Sequence, residues 1–155
     1  MPQHARLNSS ASHRWLNCPP SVLLSEKYPD QTSPYARQGT DAHTLCAYLV
    51  EKALGRDSPD PTEDLDYYDQ EMQDCAEGYA AFVMEEYGKI KQTCSDADVL
   101  IEQRVSFAQW VPEGFGTADC IILADGVAEV IDYKHGLGIL VSAETEKFGG
   151  NPQLM

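Results

Sequence analysis

The sequence predicts an α/β (α+β) fold in which helices flank a β-sheet. Apolar residues recur at helical spacing through the first 92 residues, whereas apolar and polar residues alternate after residue 98. Asp125-Gly126, between two apolar runs, favours a β-hairpin with a two-residue turn. With 155 residues, 43% of them hydrophobic, the chain suits one domain over 1–155, mainly helical to residue 92 and with its sheet in 93–155.

Two short helices are expected near the N-terminus. Ser12 suits the start of a helical turn that Pro19-Pro20 ends, and a second short helix is expected over 20–27. Residues 28–35 contain two prolines and are expected to form a loop.

Two longer helices follow. The first is expected over 41–54, with Thr40 as its N-cap and Gly55 just beyond its end. The second is expected over 65–92, with one apolar and one acidic face. Its predicted apolar stripe consists of Met72, Cys75, Ala76, Tyr79, Phe82, Val83 and Tyr87.

The alternating part of the sequence predicts the sheet. The expected strands are 99–107, 117–124, 127–134 and 139–143, and Asn151-Pro152 suits the start of a helix. Because both faces of the hairpin are largely apolar, the two longer helices are expected to cover the two faces.

The charge of the chain is uneven. There are 11 Lys and Arg against 25 Asp and Glu, which gives a net charge of −14. Residues 1–56 carry +2, residues 57–102 carry −12 and residues 103–155 carry −4. The overall sign opposes non-specific binding to a phosphate backbone, but the two ends of the chain remain able to meet nucleic acid.

Composition also argues against several classes of protein. No apolar run approaches the roughly 20 residues that span a bilayer, and the first 12 residues are too polar for a secretory signal. The five cysteines include no C-x-x-C pair, so a zinc ribbon is not indicated. Free thiols in a reducing cytoplasm are the simplest expectation.

The predicted turn sets the register of the hairpin. Ala124 pairs with Val127, and counting along both strands places Asp119 opposite Asp132 on one face. Opposed carboxylates destabilise a sheet unless something compensates their charge.

Lys134 follows Asp132 by two residues and therefore shares its face, whereas Glu129 falls on the other face. Two carboxylates beside an amine predict a divalent-metal site. A structural network of ion pairs is an equally good interpretation of the same pattern.

At these residues the chain resembles the PD-(D/E)XK nuclease superfamily, and within it an uncharacterised phage and prophage group of RecB-like exonucleases. The resemblance is carried by GTAD at 116–119, IDYKHG at 131–136 and NPQLM at 151–155, and also by SASHRWLNCP at 10–19 and GTDAH at 39–43. It implies a restriction-endonuclease-like fold, with a mixed sheet flanked by helices. It also implies hydrolysis of DNA with Mg²⁺ or Mn²⁺ in the cytoplasm of a bacterial host.

The resemblance further implies roles for individual residues. Asp119 and Asp132 match the two metal-binding acids, Lys134 matches the motif lysine, and His43 matches the histidine ligand. Gln153 matches the start of a Q-x-x-x-Y motif, and Glu102 is a weaker candidate ligand. The resemblance thus implies catalytic roles for Asp119, Asp132, Lys134 and Gln153, and metal binding by His43, Asp119 and Asp132, with Glu102 as the weaker ligand.

Two features of the N-terminal stretch remain open. The cluster His13, Arg14 and Trp15 suits stacking on a nucleic-acid base, but a tryptophan that anchors the fold explains it equally well. Some relatives bind an iron–sulfur cluster through one N-terminal and three C-terminal cysteines. Cys18 matches the first, but no trio follows, so no cluster is expected.

The sequence supports a second function. It stops at Met155 inside the Gln motif, so it is expected to be either a fragment or a naturally shortened protein. An incomplete C-terminal helix and an uncovered sheet edge are expected, which favours a homodimer. A shortened nuclease fold that no longer cuts would be an acidic binding protein. Its acidic segment would then mimic DNA towards a basic nucleic-acid-binding complex, for example a CRISPR effector that a phage inhibits.

Overall fold

The computed structural model describes residues 5–8, 11–28 and 33–136. Its elements are α1 (Ser12–Asn17), α2 (Ser21–Ser25), α3 (Pro34–Ala53), α4 (Gln70–Lys91), β1 (Asp98–Ser106), β2 (Phe115–Ala124) and β3 (Val127–Ile131). The predicted change from helices to strands is confirmed. The strand expected at 139–143 and the helix expected at Asn151-Pro152 lie outside the described residues.

The chain divides into two compact units. The first unit comprises Met1–Gln31, Arg104–Thr117 and Ile139–Met155, and the second unit comprises Thr32–Gln103 and Ala118–Gly138. Within the described ranges, no helix is both long and apolar enough to cross a membrane.

The described strands form a three-stranded antiparallel sheet in the order β1-β2-β3. The predicted hairpin is confirmed, because Ala124 pairs with Val127 and the register continues to Cys120 opposite Ile131. Asp125 and Gly126 have φ angles of 29° and 78°, the left-handed values that a tight hairpin turn of this kind needs.

The third strand is shorter than predicted. It ends at Ile131 rather than at Lys134. The backbone N–H of Tyr133 donates to the side chain of Asp119 at 2.7 Å. The acceptor is therefore a carboxylate and not a backbone carbonyl of the neighbouring strand. The chain leaves the sheet at this point.

Helix α3 begins at Pro34, which makes the predicted loop through residue 35 and the predicted start at residue 41 wrong. Ser33 is the N-cap, because its hydroxyl accepts a hydrogen bond from the Ala36 N–H at 3.1 Å, and Pro34 occupies the first helical position. The hydroxyl of Thr40, the predicted cap, instead donates to the carbonyl of Ala36 inside the helix.

The predicted end of α3 is confirmed. Gly55 has a φ of 72°, the left-handed conformation that glycine adopts most readily. The N–H groups of Gly55 and Arg56 donate to the carbonyls of Lys52 and Glu51, both at 3.0 Å. This is the Schellman arrangement, which satisfies two of the last carbonyls of the helix.

Helix α4 begins at Gln70, five residues later than predicted, because Asp69 caps it. Its buried residues are Met72, Ala76, Ala80 and Val83. Cys75 and Phe82, which the predicted stripe included, are exposed. Each directly precedes a buried residue and is therefore turned about 100° away from it around the helix.

Both longer helices pack on the same face of the sheet, so the expectation that they divide between its two faces is wrong. One buried cluster contains Val50 of α3, Ala80 and Val83 of α4, and Val99, Cys120, Ile122 and Ile131 of the sheet. A second cluster joins α3 to α4 through Ala42, Leu45, Cys46, Met72 and Ala76. On the opposite face of the hairpin, Leu123 and Val130 are exposed.

The cap of α4 provides a test of this fold. The Asp69 carboxylate accepts the Met72 N–H at 2.7 Å, so Asp69→Ala leaves that donor without its partner. We expect a loss of about 1 kcal/mol in the free energy of unfolding, measured by urea denaturation. Asp69→Asn retains a capping oxygen and should lose much less; equal losses would argue against the cap.

Candidate metal centre

Three potential metal ligands from three different elements meet in the second unit. His43 lies on α3, Glu102 on β1 and Asp119 on β2. One ligand atom from each lies within 4.8 Å of the others. In the part of the chain that the structure describes, this is the one group of three or more His, Cys, Asp or Glu side chains that could hold an ion.

His43 and Asp119 form the more buried part of this site. The Nδ1 of His43 lies 3.3 Å from an oxygen of Asp119, and the two side chains are 29% and 13% exposed. The hydrogen bond to Asp119 raises the pKa of His43 above 6.5, against the opposing effect of burial. Burial disfavours ionisation of Asp119, but hydrogen bonds from His43 and the Tyr133 N–H outweigh it and lower the pKa of Asp119.

Tyr133 positions both of these ligands. Its N–H holds one oxygen of Asp119 at 2.7 Å, and its ring meets the ring of His43 edge-on with centroids 5.7 Å apart. The same ring contacts Tyr79 at 5.1 Å and packs against the cluster between α3 and α4. The tyrosine thus ties β2 and the segment that follows β3 to the helices.

Sequence reasoning overlooked Tyr133, although a signal was present. Tyr133 lies between Asp132 and Lys134, and alternation along an extended segment sends an intervening side chain to the other face. That face carries Ile131 and Cys120, which belong to the buried core. An aromatic residue at this position therefore indicates a core contact next to the polar site.

Glu102 lies in a strained backbone conformation. Its φ is 47°, in the left-handed region, within a strand where extended values are normal. Such a conformation costs of the order of 1–3 kcal/mol for a residue other than glycine. Burial and the negative charge of Asp119 both raise the pKa of Glu102. A cation between the two carboxylates would relieve this repulsion.

Asp132 and Lys134 lie beside the three-ligand group but are not members of it. Both residues are exposed, and the Nζ of Lys134 lies 2.5 Å from the carboxylate of Asp132. The charge of Lys134 makes a small contribution to the lowered pKa of Asp119. The structure therefore brings the lysine within electrostatic range of the site and pairs Asp132 with that lysine.

The other candidates from the sequence lie elsewhere. His13, Arg14 and Trp15 belong to α1 in the first unit. Gln153 lies outside the described residues. Glu129 is opposite Ile122, on the face of the sheet that packs on the helices, as the hairpin register predicts.

The ligand set fits a divalent cation. Two carboxylates and one neutral imidazole leave a charge of −2, and three protein ligands leave coordination positions for water or substrate. Imidazole suits Mn²⁺ better than Mg²⁺, which prefers oxygen ligands only. Between the two expected ions, the imidazole therefore favours Mn²⁺ over Mg²⁺.

The sequence was compared with known protein families and with solved structures. The family described as "Protein of unknown function (DUF2800)" matches residues 4–155 of the chain. No solved structure matches it.

The His43–Asp119 pair predicts a titration that NMR can follow without metal. Asp119→Asn removes the negative partner, so we expect the pKa of His43 to fall, measured from the chemical shift of its Cε1–Hε1 group. The charged pair exists between the lowered pKa of Asp119 and the raised pKa of His43, and its contribution to stability is lost as the pH leaves that window at either end.

Glu85→Gln is the control for this titration, since it removes a charge from an exposed part of α4. It should leave the pKa of His43 unchanged. An Asp119→Asn protein with the wild-type titration would show that the two side chains are not coupled.

Proposed function

The chain belongs to the DUF2800 family of proteins of unknown function, and we propose that it is a metal-dependent DNA nuclease whose cation is held by His43, Glu102 and Asp119. The observation that carries the proposal is the convergence of these three side chains, from three elements, to within 4.8 Å. The nearby Asp132-x-Lys134 sequence supports a nuclease over other metal-dependent functions, because it is the motif by which the chain resembles the PD-(D/E)XK superfamily.

The proposed ligands are held in place before any ion binds. Tyr133 fixes Asp119 through its N–H and abuts the imidazole of His43, while α3 holds His43 against the sheet. A ligand set held in this way loses little conformational freedom when it binds an ion. When bound, a divalent cation would stabilise charge on a phosphodiester and provide a nucleophilic water near neutral pH.

Lys134 is the proposed electrostatic partner of the scissile phosphate. Its ammonium is exposed and therefore accessible to a polymer in solvent, and its positive charge helps to lower the pKa of Asp119. An ammonium can donate to phosphate oxygens and balance the charge that develops as the phosphodiester reacts. Asp132 holds this ammonium at 2.5 Å and is therefore proposed to position it.

Asp132 has a second proposed role, as a further ligand to the cation, which the family resemblance implies. The two roles differ in what a substitution removes. If Asp132 only positions Lys134, Asp132→Asn reduces cleavage and leaves metal affinity intact. If Asp132 is a ligand, both fall together.

The central prediction concerns metal binding and cleavage together. We expect Mn²⁺ to bind, measured by calorimetry, and Asp119→Asn or Glu102→Gln to weaken binding by roughly tenfold or more. Cleavage of labelled DNA should fall by roughly 100-fold in the same variants. Mn²⁺ affinity should rise as the pH increases through the raised pKa of His43, because His43 must lose its proton to bind the ion.

Glu129→Gln is the matched control, since it removes one carboxylate of β3 that is not a member of the three-ligand group. It should bind Mn²⁺ and cleave DNA as the wild type does. A wild-type protein that binds no Mn²⁺, or an Asp119→Asn protein with full activity, would refute the proposed nuclease.

A second candidate function is supported by the acidic surface of the second unit. Between residues 57 and 77 nine acidic residues are exposed, and no Lys or Arg occurs between Arg56 and Lys89. We propose, as the alternative, that this surface binds a basic nucleic-acid-binding protein in place of DNA.

The alternative predicts capture of a basic protein from host extract at low salt and its release at about 0.5 M salt, where charges are strongly screened. Replacing Glu71, Asp74 and Glu77 by glutamine should weaken capture. The same variant should retain cleavage if the nuclease proposal is correct. Capture that is insensitive to salt would contradict the alternative.

A further inference from the structure

The first unit contains a cleft that the proposed metal centre does not use. Its volume is about 990 Å³, and all its lining residues belong to the first unit. The lining includes Arg14, Trp15, Tyr28, Arg104, Glu113 and Phe115. Cationic and aromatic side chains together are the combination with which proteins bind single-stranded nucleic acid.

Two of the aromatic side chains have defined positions. The indole N–H of Trp15 donates to the carbonyl of Asn8 at 2.9 Å, which uses the single polar group of the ring and fixes its edge. The Cζ of Arg104 lies 3.5 Å from the centre of the Phe115 ring. This cation–π contact holds the guanidinium at the cleft.

The distribution of charge favours an anionic ligand at this unit. Of the 25 acidic residues, 20 belong to the second unit, which contains six basic ones. The described residues of the first unit include four basic side chains and two acidic ones, so this part of the chain carries a net charge of +2. Three arginines, Arg6, Arg14 and Arg104, and two glutamates, Glu26 and Glu113, line the cleft, and Arg6 is paired with Glu26.

We infer that this cleft binds single-stranded DNA, with a base stacked on Trp15 and phosphates held by Arg14 and Arg104. The choice of DNA depends on the proposed nuclease function. The choice of a single strand follows from the aromatic rings, because a base can stack on a side chain only when it is not paired and stacked within a duplex.

Tryptophan fluorescence can test the stacking directly. The chain has two tryptophans, Trp15 in the cleft and Trp110, which is 75% exposed and does not line it. In a Trp110→Phe protein, oligo-dT of about 12 nucleotides should quench the remaining Trp15 emission in EDTA, where no metal-dependent cleavage occurs. In a Trp15→Phe protein, the emission of Trp110 should be unaffected.

Fluorescence anisotropy of the labelled oligonucleotide measures the affinity. Trp15→Ala should weaken binding about tenfold, and Trp15→Phe, which keeps a stacking ring, should lose less. Arg14→Ala and Arg104→Ala should each reduce the slope of log affinity against log salt by about 0.7. Lys27→Ala is the matched control, because Lys27 is an exposed cation of the same unit that does not line the cleft.

The outcomes separate this inference from the nuclease proposal. DNA cleavage with Mn²⁺ but no quenching of Trp15 would overturn the proposed DNA binding at the cleft and leave the nuclease proposal standing. Quenching of Trp15 without cleavage would support DNA binding at the cleft and contradict the nuclease proposal. Equal affinity for a duplex of the same length, or Lys27→Ala matching Arg14→Ala, would also overturn the inference.

Discussion

The arrangement of the second unit depends on one carboxylate. Asp119 accepts hydrogen bonds from the Tyr133 N–H and from His43, so it joins β2, the end of β3 and α3 at a single point. The same interactions end the ladder of the hairpin and keep the carboxylate ionised although it is largely buried. A carboxylate with both oxygens engaged in this way is constrained in position, which is what a ligand to a small cation requires.

Much of the fold could be predicted because short-range chemistry specifies it. Asp125-Gly126 predicted every residue pair of the hairpin that the structure shows, and Gly55 predicted the end of α3. Both predictions succeeded because these positions need a left-handed backbone conformation. Helix starts were predicted less well. Thr40 and Ser33 are both good caps by residue type, and only the structure shows which hydroxyl meets a free N–H.

The candidate site could be predicted only in part, because its members are distant in sequence. The hairpin register indicated Asp119, the resemblance added His43, and Glu102 was the weaker candidate although it completes the group of three. Its left-handed backbone has no signature in a run of ordinary strand residues. Asp132 was placed opposite Asp119 by register, but the strand ends one residue earlier, and Lys134 pairs with the carboxylate.

The order of the three ligands along the chain has a consequence for biosynthesis. His43 precedes Glu102 by 59 residues and Asp119 by 76, and the tyrosine that contacts His43 and Asp119 is later still, at residue 133. Ribosomes release a polypeptide from its N-terminus, so the helix bearing the imidazole emerges long before the acids that complete its coordination sphere. A nascent chain therefore lacks the assembled centre until the segment that contains Tyr133 has been synthesised.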